Sequence, residues 1–162
     1  MRTIKIEPLT RAAFAPFGDV IETEGARHYP INAGMCERHH DLARVEAAGP
    51  SARQLISIAV GKPYSLPLTL KMVERHPLGS QAFYPLSSEP FLVIVTSDEN
   101  GRPGIPRAFM TNGMQGVNYP INTWHGVLTP IGQEQRFLII DRGGDGNNLE
   151  EFVFEEPIVI VV

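Results

Sequence analysis

The sequence predicts an all-β protein, a sandwich or closed barrel of short strands, and three observations predict it. Fourteen prolines and fifteen glycines are scattered through 162 residues, which cuts the chain into short elements and leaves no long linker. Between these marks, β-branched and aromatic residues alternate with polar ones at the period of a half-buried strand. Only two stretches carry a helical signal, so about ten strands with hardly a helix point to those two architectures.

Taken in order, "TIKIE" alternates and opens the first strand, and Thr10 can then cap a short helix over "TRAAF". "GDVIET" returns to strand, and "CERHHDLARVEAA" reads as the second short helix. "QLISIAV", "LTLKMVERH", "SQAFYP" and "FLVIVTS" are strands by composition, as are "PRAFMT", "TWHGVLT", "QRFLIID" and "FVFEEPIVIV". Asn100-Gly101 and Asn112-Gly113 are tight-turn signals, and "RGGDGNN" is a loop. With no repeat and no boundary, residues 1–162 are expected to form a single domain.

Composition narrows the function. A formal net charge of -4 offers phosphate backbones no broad attraction, so nucleic acid is not an expected partner. The single cysteine, Cys36, excludes an internal disulfide and a cysteine-rich zinc motif. The start "MRTIKIEPLT" lacks the apolar core of a signal peptide, and no run reaches the roughly 18 apolar residues of a membrane span. A cytoplasmic protein, independent of membranes, is the expectation.

Chemistry concentrates in two places. If "LTLKMVERH" is one regular strand, Leu68, Leu70, Met72, Glu74 and His76 share a face while Val73 and Arg75 take the other. Glu74 and His76 then extend an apolar, core-facing stripe, where a carboxylate and an imidazole need partners. The bland alternative is a strand end emerging into solvent. The second cluster is "GVNYPINTWHGV", where His125 follows Trp124 and a turn at Pro120. Alone, His125 reads as a hydrogen-bonded structural histidine; the pairing of two clusters raises it to a functional candidate.

Glu74-x-His76 followed by Gln81 resembles the first motif of the cupin barrels with Glu for His and Gln for Glu, and Pro120-x-Asn122-x-x-His125 resembles the second with Asn for Gly. The resemblance implies a cupin-like antiparallel β-barrel, a double-stranded β-helix or jelly roll, with one or two short helices. It also implies that Glu74, His76, Gln81 and His125 converge inside the barrel and could hold one metal ion. A closer resemblance, to the ureidoglycolate lyases (ureidoglycolate hydrolases in older terms), runs nearly end to end through "FGDVIET", "ERHHDLA", "LPLTLKMVERHPLGSQAF", "RAFMTNGMQGVNYPINTWH" and "FLIIDRGG". Where family members read Trp-His-His, this chain has Trp124-His125-Gly126.

That resemblance implies cleavage of (S)-ureidoglycolate to glyoxylate and urea in allantoin breakdown, by a carbon–nitrogen lyase. It further implies a homodimer and nickel as the divalent cofactor, with no organic cofactor. Glu74, His76 and His125 are the expected catalytic residues. Gln81 and, for the substrate carboxylate, Arg38 and Arg107 are the expected binding residues, although a surface ion pair is the plain reading of each arginine. His28, His39 and Cys36 have no spacing that links them to either cluster. A cupin dioxygenase and a non-catalytic small-molecule sensor are the competing classes.

Overall fold

The computed structural model describes residues 1–162. In chain order the elements are β1 (Arg2–Pro8), α1 (Arg11–Phe14), β2 (Asp19–Ile21), β3 (His28–Ile31), β4 (Cys36–His39), β5 (Arg53–Gly61), β6 (Leu68–Arg75), β7 (Gln81–Pro85), β8 (Phe91–Thr96), β9 (Asp98–Glu99), β10 (Arg102–Pro103), β11 (Arg107–Met110), β12 (Gly116–Tyr119), β13 (Trp124–His125), β14 (Thr129–Pro130), β15 (Gln135–Gly143) and β16 (Glu150–Val161). No helix is long and apolar enough to cross a membrane.

Two sheets make the body. In the first, β11, β1, β16, β6, β13 and β8 follow one another, and β8 pairs back onto β11, so six strands close into a ring. Pairing in the ring is antiparallel except where β1 lies parallel to both β11 and β16. The second sheet is open and five-stranded, in the order β2-β12-β7-β15-β5. Leu70, Val73, Leu92, Ile94, Ala108, Trp124, Ile158 and Ile160 fill one core. Leu9, Phe14, Val20, Phe83, Phe91, Val93, Val95, Phe109, Val117, Tyr119 and Phe137 form the other, between ring wall and open sheet.

The strand β8, Phe-Leu-Val-Ile-Val-Thr, is buried at all six positions. Its residues divide by parity, Leu92 and Ile94 entering the first core and Phe91, Val93 and Val95 the second. A wall covered on both sides needs apolar residues at every position, which is why this segment does not alternate.

Thr10 caps α1 as expected, its hydroxyl accepting from the Ala13 N–H at 3.2 Å, and Phe14 seals the inter-sheet core. Asn100 and Gly101 make the β9–β10 turn with φ of 55° and 84°, the left-handed pair such turns require. The helix expected over "CERHHDLARVEAA" does not form. Cys36–His39 is a strand paired with His28–Ile31, and the rest is irregular, with Asp41 at a φ of 55° and the Ala48 N–H donating to the Leu78 carbonyl. Only Leu42 and Val45 in the segment are large and apolar, too little burial to hold so short a helix, so its first backbone groups pair with β3 instead.

Candidate active site

The parity expected for β6 breaks midway. Its partner β16 jumps from Val153, opposite Met72, to Ile158, opposite Leu70. Across this irregularity Leu70 and Val73 both enter the ring core although they are three residues apart. Glu74 and His76 therefore do not continue the stripe of Leu68 and Leu70; they face the open sheet, opposite Val73 and Arg75. A bulge adds residues to one strand and re-aims those beyond it.

His125 reaches the same space from β13, lying opposite Glu74 on one side and Val95 on the other. Trp124, one residue earlier, points into the ring core, so alternation sends His125 the other way. There it is 2% exposed and stacks on Tyr119 of β12, with centroids 4.2 Å apart and planes within 3°. Its Nδ1–H donates to the Gly126 carbonyl at 2.9 Å, leaving the buried Nε2 without a hydrogen-bond partner.

His76 sits just past the end of β6, where its carbonyl accepts from the Asn122 N–H at 3.0 Å. Its Nδ1–H donates to the Asn148 carbonyl at 2.8 Å, so Nε2 points inward, 3.1 Å from Gln81 Oε1 and 4.0 Å from Glu74 Oε1. Ligand atoms of Glu74, His76 and His125 all lie within 4.8 Å of one another. The structure thus brings Glu74, His76, Gln81 and His125 together between ring and open sheet. It holds the strands that carry them from behind: the Arg75 guanidinium lies 4.4 Å over the Trp124 ring, and both residues donate to Asp98 Oδ1, at 2.8 and 2.9 Å.

Burial governs the electrostatics. Desolvation, with a smaller contribution from the charge of His76, pushes the His125 imidazole down to about 3. Desolvation also raises the Glu74 carboxyl above its ordinary value, opposed by His76 and reinforced by Glu151. The Tyr119 phenol is pushed well up by burial and then by Glu74.

A divalent cation fits this donor set. Four lone-pair groups (two imidazole Nε2 atoms, a carboxylate and an amide oxygen) face one volume, and the buried Nε2 of His125 meets no donor there. Acceptors gathered without donors repel unless a positive charge lies among them. Two imidazoles with oxygen donors suit nickel, zinc or iron.

The expected arginines are placed differently. Arg107 makes a two-pronged pair with Glu7, at 2.8 and 3.0 Å, and lies over the Phe109 ring. Arg38 is exposed on the β3–β4 hairpin, with Nε on His40 Nδ1 at 3.1 Å. His28 and His39 stack on each other in that hairpin, and Cys36 is exposed. Sequence reasoning missed Tyr119, Asp141 and Asn148. They fall inside segments already singled out, but their neighbours are 6 to 72 residues away and only folding reveals them.

Comparison with known proteins agrees in kind. The family model described as ureidoglycolate lyase matches residues 1–161. A ureidoglycolate lyase of a Chelativorans strain is 69% identical over 99% of this chain and 97% of its own. Another, from Mesorhizobium japonicum, is 64% identical over 99% and 98%, and ureidoglycolate lyase 2 of Rhizobium meliloti is 60% identical over 97% and 96%.

Proposed function

Because the chain belongs to the ureidoglycolate lyase family, we propose that it acts as a carbon–nitrogen lyase on (S)-ureidoglycolate, releasing glyoxylate and urea. The observation that supports this reading is the convergence of Glu74, His76, Gln81 and His125 in one partly buried space.

The substrate carries a hydroxyl and a ureido nitrogen on one carbon. Removing the hydroxyl proton lets C=O form as C–N breaks, and the nitrogen takes a proton to leave as urea, so water is not consumed. The proton taken from oxygen is the one nitrogen needs, and one residue can move both. Glu74 is placed for this transfer, because a carboxylate has two oxygens and one can carry the proton while the other holds a cation. His125, held far below its ordinary value, is a weak base with an available lone pair, which suits a ligand.

A divalent cation, nickel by family resemblance, would be held by Glu74, His76, His125 and the Gln81 carbonyl, and when bound would lower the pKa of the substrate hydroxyl as a Lewis acid. Arg38, which spends only Nε on His40, is freer than Arg107 to take the substrate carboxylate. The protein is proposed to work in the cytoplasm as a homodimer. The C-terminal "PIVIVV" is a core strand, with Ile158 and Ile160 inside the ring. Edge strand β5 is the surface that favours a second copy, since Ile56, Ile58 and Val60 stand exposed along one side of it.

Incubating purified protein with (S)-ureidoglycolate under anaerobic conditions tests the reaction. Glyoxylate and urea should appear in equal amounts without early ammonia. Ammonia rising in step with glyoxylate, or a requirement for oxygen, would overturn it.

A further inference from the structure

Gln81 presents an oxygen to His76, and something must prevent its amide from turning round. His76 Nδ1–H is committed to the Asn148 carbonyl at 2.8 Å, so a neutral His76 offers a lone pair at Nε2. Facing it at 3.1 Å is Gln81 Oε1, a second acceptor. In isolation the amide would flip, letting its NH₂ donate to the imidazole and sealing the site against a cation.

The residue opposing the flip is Asp141. It lies on β15, next to Ile140, which pairs with Ala82 beside Gln81. Its Oδ2 accepts from Gln81 Nε2 at 3.2 Å. A carboxylate can only accept, and a flipped amide would set oxygen against a full negative charge. We propose that Asp141 is a positioning residue that keeps the Gln81 carbonyl oxygen, not its NH₂, directed into the Glu74–His76–His125 site. Asp141 acts through Gln81 and touches neither substrate nor ion. The proposal rests on the functional reading above, in which the site takes a divalent cation.

The test compares four variants of the full-length protein, Asp141→Leu, Asp141→Asn, Gln81→Ala and the Asp141→Leu/Gln81→Ala double variant. Each is titrated with Ni²⁺ by calorimetry and assayed for glyoxylate release, and a thermal melt checks folding. Outer partners of metal ligands are worth about 10- to 100-fold in affinity. Asp141→Leu should weaken Ni²⁺ binding by about tenfold or more. Asp141→Asn should weaken it to a similar degree, because its own amide can turn and donate to a flipped Gln81 oxygen, so nothing then fixes the orientation. In the Gln81→Ala background, Asp141→Leu should cost nothing further, the signature of two residues acting as one unit.

Asp141→Asn binding Ni²⁺ as tightly as wild type would show that an acceptor-only carboxylate is not what fixes the amide, and would overturn the proposal. A full Asp141→Leu effect without Gln81 would overturn it too. If Asp141→Leu fails to fold, Asp141→Asn against Gln81→Ala still decides: weakened binding in both supports the proposal, and binding near wild type in the first with loss in the second overturns it. Wild-type protein that releases glyoxylate but binds no Ni²⁺ overturns the role of Asp141 alone. Wild-type protein that does neither overturns the functional reading with it.

Discussion

His125 is fixed on one ring face by Tyr119 and at Nδ1 by the Gly126 carbonyl, and only Nε2 is left for chemistry. His125→Asn should therefore keep a folded barrel and lower kcat by roughly 10²-fold or more, the scale of a lost catalytic group. Thermal unfolding and steady-state kinetics on one preparation check this, and near-normal kcat would remove His125 from the mechanism. Gly126 is the neighbour where the family resemblance implies a second histidine. A Cβ there would lie 3.2 Å from Ile94 Cβ, against the ring core, so a side chain at 126 points away from Glu74 and His76. Gly126→Ala should destabilise the fold by about 1–3 kcal/mol, as overpacking does, while kcat of the folded fraction changes little. A large loss of kcat at unchanged stability would contradict that placement.

At the scale of elements, the ring wall needs its strands locked in register for the site to hold its shape. Arg75 supplies one lock, spanning Glu150, Asp98 and the Trp124 face. Arg75→Met keeps the stem but loses the fork, and should cost about 1–3 kcal/mol, with a shift in the fluorescence of Trp124, the sole tryptophan. Unchanged fluorescence and stability would show that the lock is idle. Between β1 and β11 the lock is Glu7–Arg107, in which the hydrogen bonds and charge of Arg107 hold the Glu7 carboxyl below its ordinary value. A lowered folded-state pKa gives stability that is present above the unfolded value, near 4.5, and is lost as pH falls through the folded one. Both side chains are about two-fifths exposed, so solvent screening keeps the contribution within about 1 kcal/mol. Glu7→Gln should thus be slightly less stable than wild type at pH 7, and the gap should close below pH 4 in urea melts. A gap that widens on acidification would reverse the sign.

The whole molecule has one unguarded margin. β5 pairs only with β15, and its exposed row of Ile56, Ile58 and Val60 carries none of the charges or prolines that usually blunt an edge. Two copies meeting antiparallel along β5 would set Ile58 against Ile58 and Ile56 against Val60, an arrangement a two-fold axis permits. Ile58→Lys should leave the fold intact and convert the proposed homodimer to monomer in sedimentation at micromolar concentration. A wild-type monomer there would reject the assembly.

The all-β class, most strands, the Thr10 cap and the Asn100-Gly101 turn were legible in the chain before folding, because alternation, capping and turn chemistry are local and leave local marks. So were the segments that carry chemistry, since Glu74, His76, Gln81 and His125 stand out by type and spacing. Which face they share was settled by packing alone. The irregularity opposite β6 is set by how β16 pairs with it, and such a break in register reverses every side chain beyond it whatever the local pattern says. The strand at Cys36–His39 likewise formed because a separate segment offered hydrogen bonds. Asp141 and Asn148 joined the site because strand pairing and loop closure carried them to Gln81 and His76 across 60 and 72 residues. A contact over that separation depends on the packing of the whole chain, and no window of sequence contains both of its ends.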